Sequence, residues 1–73
     1  MRETIARRLR ELRGSKTQSE VAKDLNLSQG AIQFYESGMR VPRDDIKVRL
    51  ARYYGVSVEH LFFDEEEHIL CSR

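Results

Sequence analysis

The sequence predicts an all-α protein, a compact bundle of five short helices. Three observations carry the prediction. Apolar residues recur at helical spacing in five separate stretches, which gives each one a buried face. Residues that start or stop helices bound these stretches: Thr17, Ser28 and Ser57 before, Gly14, Asn26, Gly38 and Gly55 after. No run alternates apolar with polar residues for long enough to form a strand.

Residues 2–13 read as the first helix. Ile5, Leu9 and Leu12 fall on one face, Glu3 lies near the start, and Arg10 and Arg13 lie near the end, as the helix dipole favours. Gly14 stops it, and Gly14-Ser15-Lys16 is a short connection. The second helix opens with a capping box, Thr17 and Glu20, and buries Val21, Ala22 and Leu25. Asn26 tolerates the left-handed exit. Ser28 caps the third helix, and Leu27 before it can staple onto Ile32. Ile32 and Tyr35 continue the stripe to Gly38. One of Phe34 and Tyr35 must face inward, and the spacing favours Tyr35. Pro42 forbids helix immediately before it, so Met39–Pro42 is a loop. A fourth helix begins near Arg43, with Asp44 and Asp45 in its first turn and Ile46, Leu50, Ala51 and Tyr54 inward; Gly55 ends it. Ser57 caps a short fifth helix, with Val56 stapled to Leu61.

The 73 residues amount to one domain, too small to bury more than a modest core. Charged residues, 34% of the chain, are interspersed with apolar ones, which excludes a disordered polymer. There is no long apolar run for a membrane span and no signal peptide. A single cysteine, Cys71, excludes an internal disulfide framework and suits a reducing cytoplasm. Net charge is only +1, but it is unevenly spread. Residues 1–58 carry 12 Lys/Arg against 7 Asp/Glu, and residues 59–73 carry 1 against 5. A basic body with an acidic tail is compatible with nucleic-acid binding by the body. Residues 1–63 are expected to form the folded domain, and residues 64–73 a tail that is either disordered or dimer-associated.

The spacing of residues 17–38 goes beyond two adjacent helices. Ala22 is small enough for a close crossing, and Asn26 supplies the sharp turn. Val21, Leu25, Leu27, Ile32 and Tyr35 line the inside. This is the pattern of a helix-turn-helix whose second helix enters a DNA major groove. The sequence here resembles the Cro/repressor-type helix-turn-helix family, also called the xenobiotic-response-element type. The resemblance runs from about Ile5 to Phe63. It is carried by T-Q-S-E-V-A, L-S-Q-G-A-I, Y-E-S-G-M-R-V-P and L-A-R-Y-Y-G-V-S-V-E-H-L-F, in that order. It implies a phage-repressor-like DNA-binding domain. The connection after the first helix is shorter than in many members of that family.

The inward stripe names the outward residues: Ser28, Gln29, Gly30, Gln33 and Phe34. Gln29 and Gln33 suit bidentate bonding to adenine, and Phe34 suits contact with a thymine methyl. Gly30 offers only backbone at this position. Phosphate contacts are expected from Thr17, Gln18, Arg40 and Arg43, and less strongly from Lys16, Arg10 and Arg7. The resemblance implies that Gln18 bonds both a phosphate and Gln29, and that Glu36 pairs with Arg13. The bland alternatives are a solvated glutamine face and solvated surface arginines.

A single reading helix covers few base pairs, so a homodimer on a palindromic operator is expected. The pairing surface is not visible in the sequence; its best candidates are Val58, Leu61, Phe62 and Phe63, with Ile69 and Leu70 from the tail, and in the alternative Leu61 and Phe62 simply close the bundle. His60, His68 and Cys71 near Asp64–Glu67 fall short of a zinc ligand set, so no metal and no cofactor are expected. There is no phosphate-cradling glycine loop and no nucleophile motif, so an enzyme is not expected. The chain is too short for a separate sensing domain. The expected function is a double-stranded DNA-binding transcriptional regulator, most simply a repressor. Two alternatives stay open. One is an antitoxin-type autoregulator that engages a protein partner through its acidic tail; the other is a protein-interaction module of the same fold.

Overall fold

Local capping sets the helix boundaries, and a computed structural model describes residues 2–62. Its five α-helices are α1 (Arg2–Arg13), α2 (Gln18–Leu25), α3 (Gln29–Ser37), α4 (Asp44–Tyr54) and α5 (Val58–Phe62). No strand occurs among the described residues. The expectations for Phe63, Ile69 and Leu70, and for the tail 64–73 with His68 and Cys71, fall outside them.

The predicted caps form. Thr17 Oγ1 accepts from the Glu20 amide at 3.0 Å, and Glu20 Oε1 accepts from the Thr17 amide at 2.8 Å, closing the capping box. Asn26 leaves α2 in the left-handed region, at φ 56°, where its short polar side chain is tolerated. Ser28 Oγ accepts from the Ala31 amide at 3.0 Å, and Ser57 Oγ from the His60 amide at 2.9 Å. Arg43 occupies the N-cap of α4 without a side-chain cap bond. Such caps are worth about 1 kcal/mol each.

The inner faces meet in one core. Ile5 and Leu9 of α1, Val21, Ala22 and Leu25 of α2, and Ile32 of α3 pack with Ile46, Leu50 and Ala51 of α4. Tyr35 and Tyr54, expected inside, are half-buried at its edge. Each buried aliphatic side chain contributes about 1.5–3 kcal/mol against exposure. α3 packs on both α1 and α2.

The structure corrects one expectation. Leu61 and Phe62 are candidates for a pairing surface with core closure as the alternative, but they are 0% and 2% exposed and complete this core. A short last helix can hold its place only by burying its few apolar side chains, so these two are not on offer to a partner. Val58 is half-buried against the same core.

Long-range polar bonds tie the helices further. The Arg49 guanidinium on α4 donates to the Leu25 carbonyl, closing the end of α2. Arg8 Nη1 donates to the His60 carbonyl at 2.5 Å. Lys16 Nζ donates to the Tyr53 hydroxyl at 2.9 Å, which in turn donates to Asp24 Oδ2 at 2.5 Å.

Candidate nucleic-acid interface

The start of α3 stands clear of the bundle. Ser28, Gln29, Gly30, Gln33 and Phe34 are all exposed, while Ile32 and Glu36 are buried. Ile32 and Glu36 are one turn apart and turn in together, with Gly30 and Phe34 across the helix from them. Gln29, three residues before Ile32, is exposed because it sits at the helix start. The five residues expected to face outward are therefore all open to solvent. A Cβ built at Gly30 would meet only Ser28 Oγ, at 3.9 Å, which is ordinary contact. Nothing within the described fold demands a glycine there.

The other end of α3 is fixed by a buried carboxylate. Glu36 is 4% exposed. Arg13 Nε donates to both of its oxygens, at 3.0 and 2.9 Å, as the resemblance implied. Gln18 Nε2 donates to Oε1 at 3.0 Å. Arg10 Nη1 donates to the Glu36 backbone carbonyl at 2.5 Å, satisfying an open carbonyl at the helix end. A buried charge needs such partners, since an uncompensated carboxylate in the interior costs several kcal/mol. Burial also pushes the half-buried Tyr54 hydroxyl up to about 12, with the Glu36 charge adding to the effect.

The expected phosphate contacts fare unequally. Thr17 and Gln18 stand together at the head of α2, but Gln18 bonds Glu36 rather than the expected Gln29. Lys16 is engaged with Tyr53 and lies 3.7 Å from Asp24, so its ammonium is turned to the α2–α4 side. The Tyr53 hydroxyl, and then the Asp24 charge, hold its pKa above the ordinary lysine value. Arg7 forms an exposed ion pair with Glu11 at 3.6 Å. Arg10 is committed to α3. Arg43 is almost fully exposed and only 3.9 Å from Asp45 Oδ1, a loose pair that water and salt weaken. Arg40 is exposed in the loop after α3, its guanidinium 5.3 Å from the centre of the Phe34 ring. The sequence names Phe34 and Arg40 separately and gives no sign of their contact. Nor does it reveal Arg10 and Arg49 as carbonyl donors, because each partner lies more than twenty residues away along the chain.

Two short helices in a tight turn, the second exposed along one side at its start, define a DNA-binding helix-turn-helix regulator. A helix-turn-helix family model matches residues 7–61, and the chain belongs to that family, in its Cro/repressor type. No curated protein and no solved structure matches it. No helix among the described residues is long and apolar enough to cross a membrane.

Proposed function

We propose that this chain is a repressor that binds a palindromic operator as a homodimer, with α3 in the major groove. The observation that carries the reading is the exposure of Ser28, Gln29, Gly30, Gln33 and Phe34 on a helix anchored at its far end through Glu36. Gln29 and Gln33 have the donor and acceptor pair that matches adenine N7 and N6, and Phe34 offers an apolar edge to a thymine methyl. Gly30 gives the backbone clearance to approach closely. Thr17 and Gln18 on one side, and Arg40 and Arg43 on the other, flank this surface as phosphate contacts. Arg10 and Lys16 are engaged inside the chain and serve the scaffold instead.

Two copies follow from the size of the contact. One reading helix touches few base pairs, at about 1–3 kcal/mol of discrimination each, which is too little to single out an operator. A two-fold dimer doubles it and imposes half-sites about one helical turn apart. Occupancy of promoter DNA by such a dimer represses transcription. The pairing face lies elsewhere than Leu61 and Phe62.

Selection from random duplexes tests this reading directly. The expected product is a site with two-fold symmetry, bound by two chains in sedimentation, with affinity that falls steeply with salt as counterions are displaced. Failure to enrich any duplex, with a flat salt response, would instead indicate a protein-interaction module.

A further inference from the structure

The turn after α3 is folded around one residue. The Phe34 carbonyl accepts from the amides of Gly38, Met39 and Arg40, the last two at 3.0 and 3.3 Å, and from Ser37 Oγ at 3.2 Å. Gly38, at φ 81°, makes the reversal sterically free. Beyond Arg40, Val41 is half-buried and Pro42 is buried, which fixes the loop on its far side. The backbone is thus pinned on both sides of Arg40. Its guanidinium turns back over the Phe34 ring, 5.3 Å from the centroid, and among the described residues it meets no carboxylate. Arg13, by contrast, is committed to Glu36 and to the Lys16 carbonyl. Phe34 keeps 40% of its surface exposed, so the stacked unit is open to solvent beside the outward face of α3.

A free arginine loses rotamer entropy when it is immobilised on a ligand. Stacking on a ring attached to the reading helix removes part of that loss beforehand. Among the described residues the guanidinium N–H groups donate to no acceptor, so they stay available to a ligand. A backbone phosphate is the anion that a guanidinium fork fits well.

We propose that Phe34 is a positioning residue for Arg40: its ring is the platform that aims the guanidinium at one DNA phosphate. The proposal rests on the operator reading above and adds to it. Phe34 then governs sequence-independent affinity, beyond any thymine it touches.

The test is a double-mutant cycle on DNA affinity. Wild type, Phe34→Leu, Arg40→Ala and the double variant are titrated against the selected site and against a mixed-sequence duplex, at several salt concentrations. Leucine keeps an apolar contact but removes the π face. On the mixed-sequence duplex, Phe34→Leu is expected to weaken binding about three-fold, the scale of an exposed cation–π contact. It should flatten the salt dependence in the same direction as Arg40→Ala, which removes about one phosphate contact. In the Arg40→Ala background the same change should do nothing, and Phe34→Tyr should restore the wild-type response. Thermal melts of each variant separate these effects from loss of fold. Independent, multiplicative effects on the mixed-sequence duplex, or an unchanged salt slope in Phe34→Leu, would overturn the proposal while leaving the operator reading intact. A wild type that binds neither duplex at low salt defeats both.

Discussion

At Glu36 the last turn of α3 is held by side chains from two other helices. At Gln29 the helix start is exposed, and its capping hydrogen bonds run to Ser28. The two ends of one nine-residue helix are therefore built differently. The closed end fixes position and direction, and the open end keeps its polar groups unspent. A helix that must match base edges to within fractions of an ångström needs a rigid mount, and its reading residues contribute little to that mount.

The sharpest way to break this contrast is to empty the closed end. Glu36→Ala leaves Arg13 partly buried and uncompensated, and should cost about 3 kcal/mol of stability, read as a lower urea midpoint. Gln33→Ala at the open end should leave the urea midpoint unchanged. Its cost, about 1–3 kcal/mol, should appear only on the best operator and with relaxed base preference. If Gln33→Ala melts early, the open end is not free of structural duty.

Tyr54 offers a titration of the closed end. Below its ordinary value of 10, the folded and unfolded chains both keep the hydroxyl proton, so it adds nothing to pH dependence. Between 10 and about 12, the unfolded chain loses a proton that the folded chain retains. Stability therefore falls across that window, by about 1 kcal/mol after allowance for solvent around a half-buried group. Through it, the wild-type urea midpoint should fall relative to that of Tyr54→Phe.

The smallest effect concerns Gly30. A methyl group has room in the free chain, so Gly30→Ala should raise stability by up to about 1 kcal/mol. The same methyl would stand between helix backbone and DNA, so operator affinity should drop. A variant that is more stable and binds equally well would show that close approach at this position is not used.

Much of this contrast is legible in the amino-acid sequence. Thr17, Glu20, Asn26, Ser28 and Gly38 act within a few residues of themselves, so composition and spacing suffice for the helix ends. The burial of Ile32 turns Gly30 and Phe34 outward by periodicity, and Gln29 is exposed because it begins the helix. The features that escape such a reading are long-range. Gln18 meets Glu36 rather than Gln29 because the crossing of α2 and α3 brings that carboxylate within reach, and crossing geometry is not written in either helix. Lys16 finds Tyr53 and Asp24 across the bundle for the same reason. Leu61 and Phe62 are ambiguous in sequence because an apolar pair on a short terminal helix suits a core and a pairing face equally. Only the packing of α5 on α1 and α4 separates the two.

Arg13 and Gln18 converge on one carboxylate, so neither α1 nor α2 can peel away without baring it. Partial opening of this region therefore has no inexpensive first step. In deuterium uptake, α1, α2 and the C-terminal half of α3 should behave as a single foldon. Fraying is then confined to the turn of α3 that faces outward, and local motion at the tip does not spread to its mount.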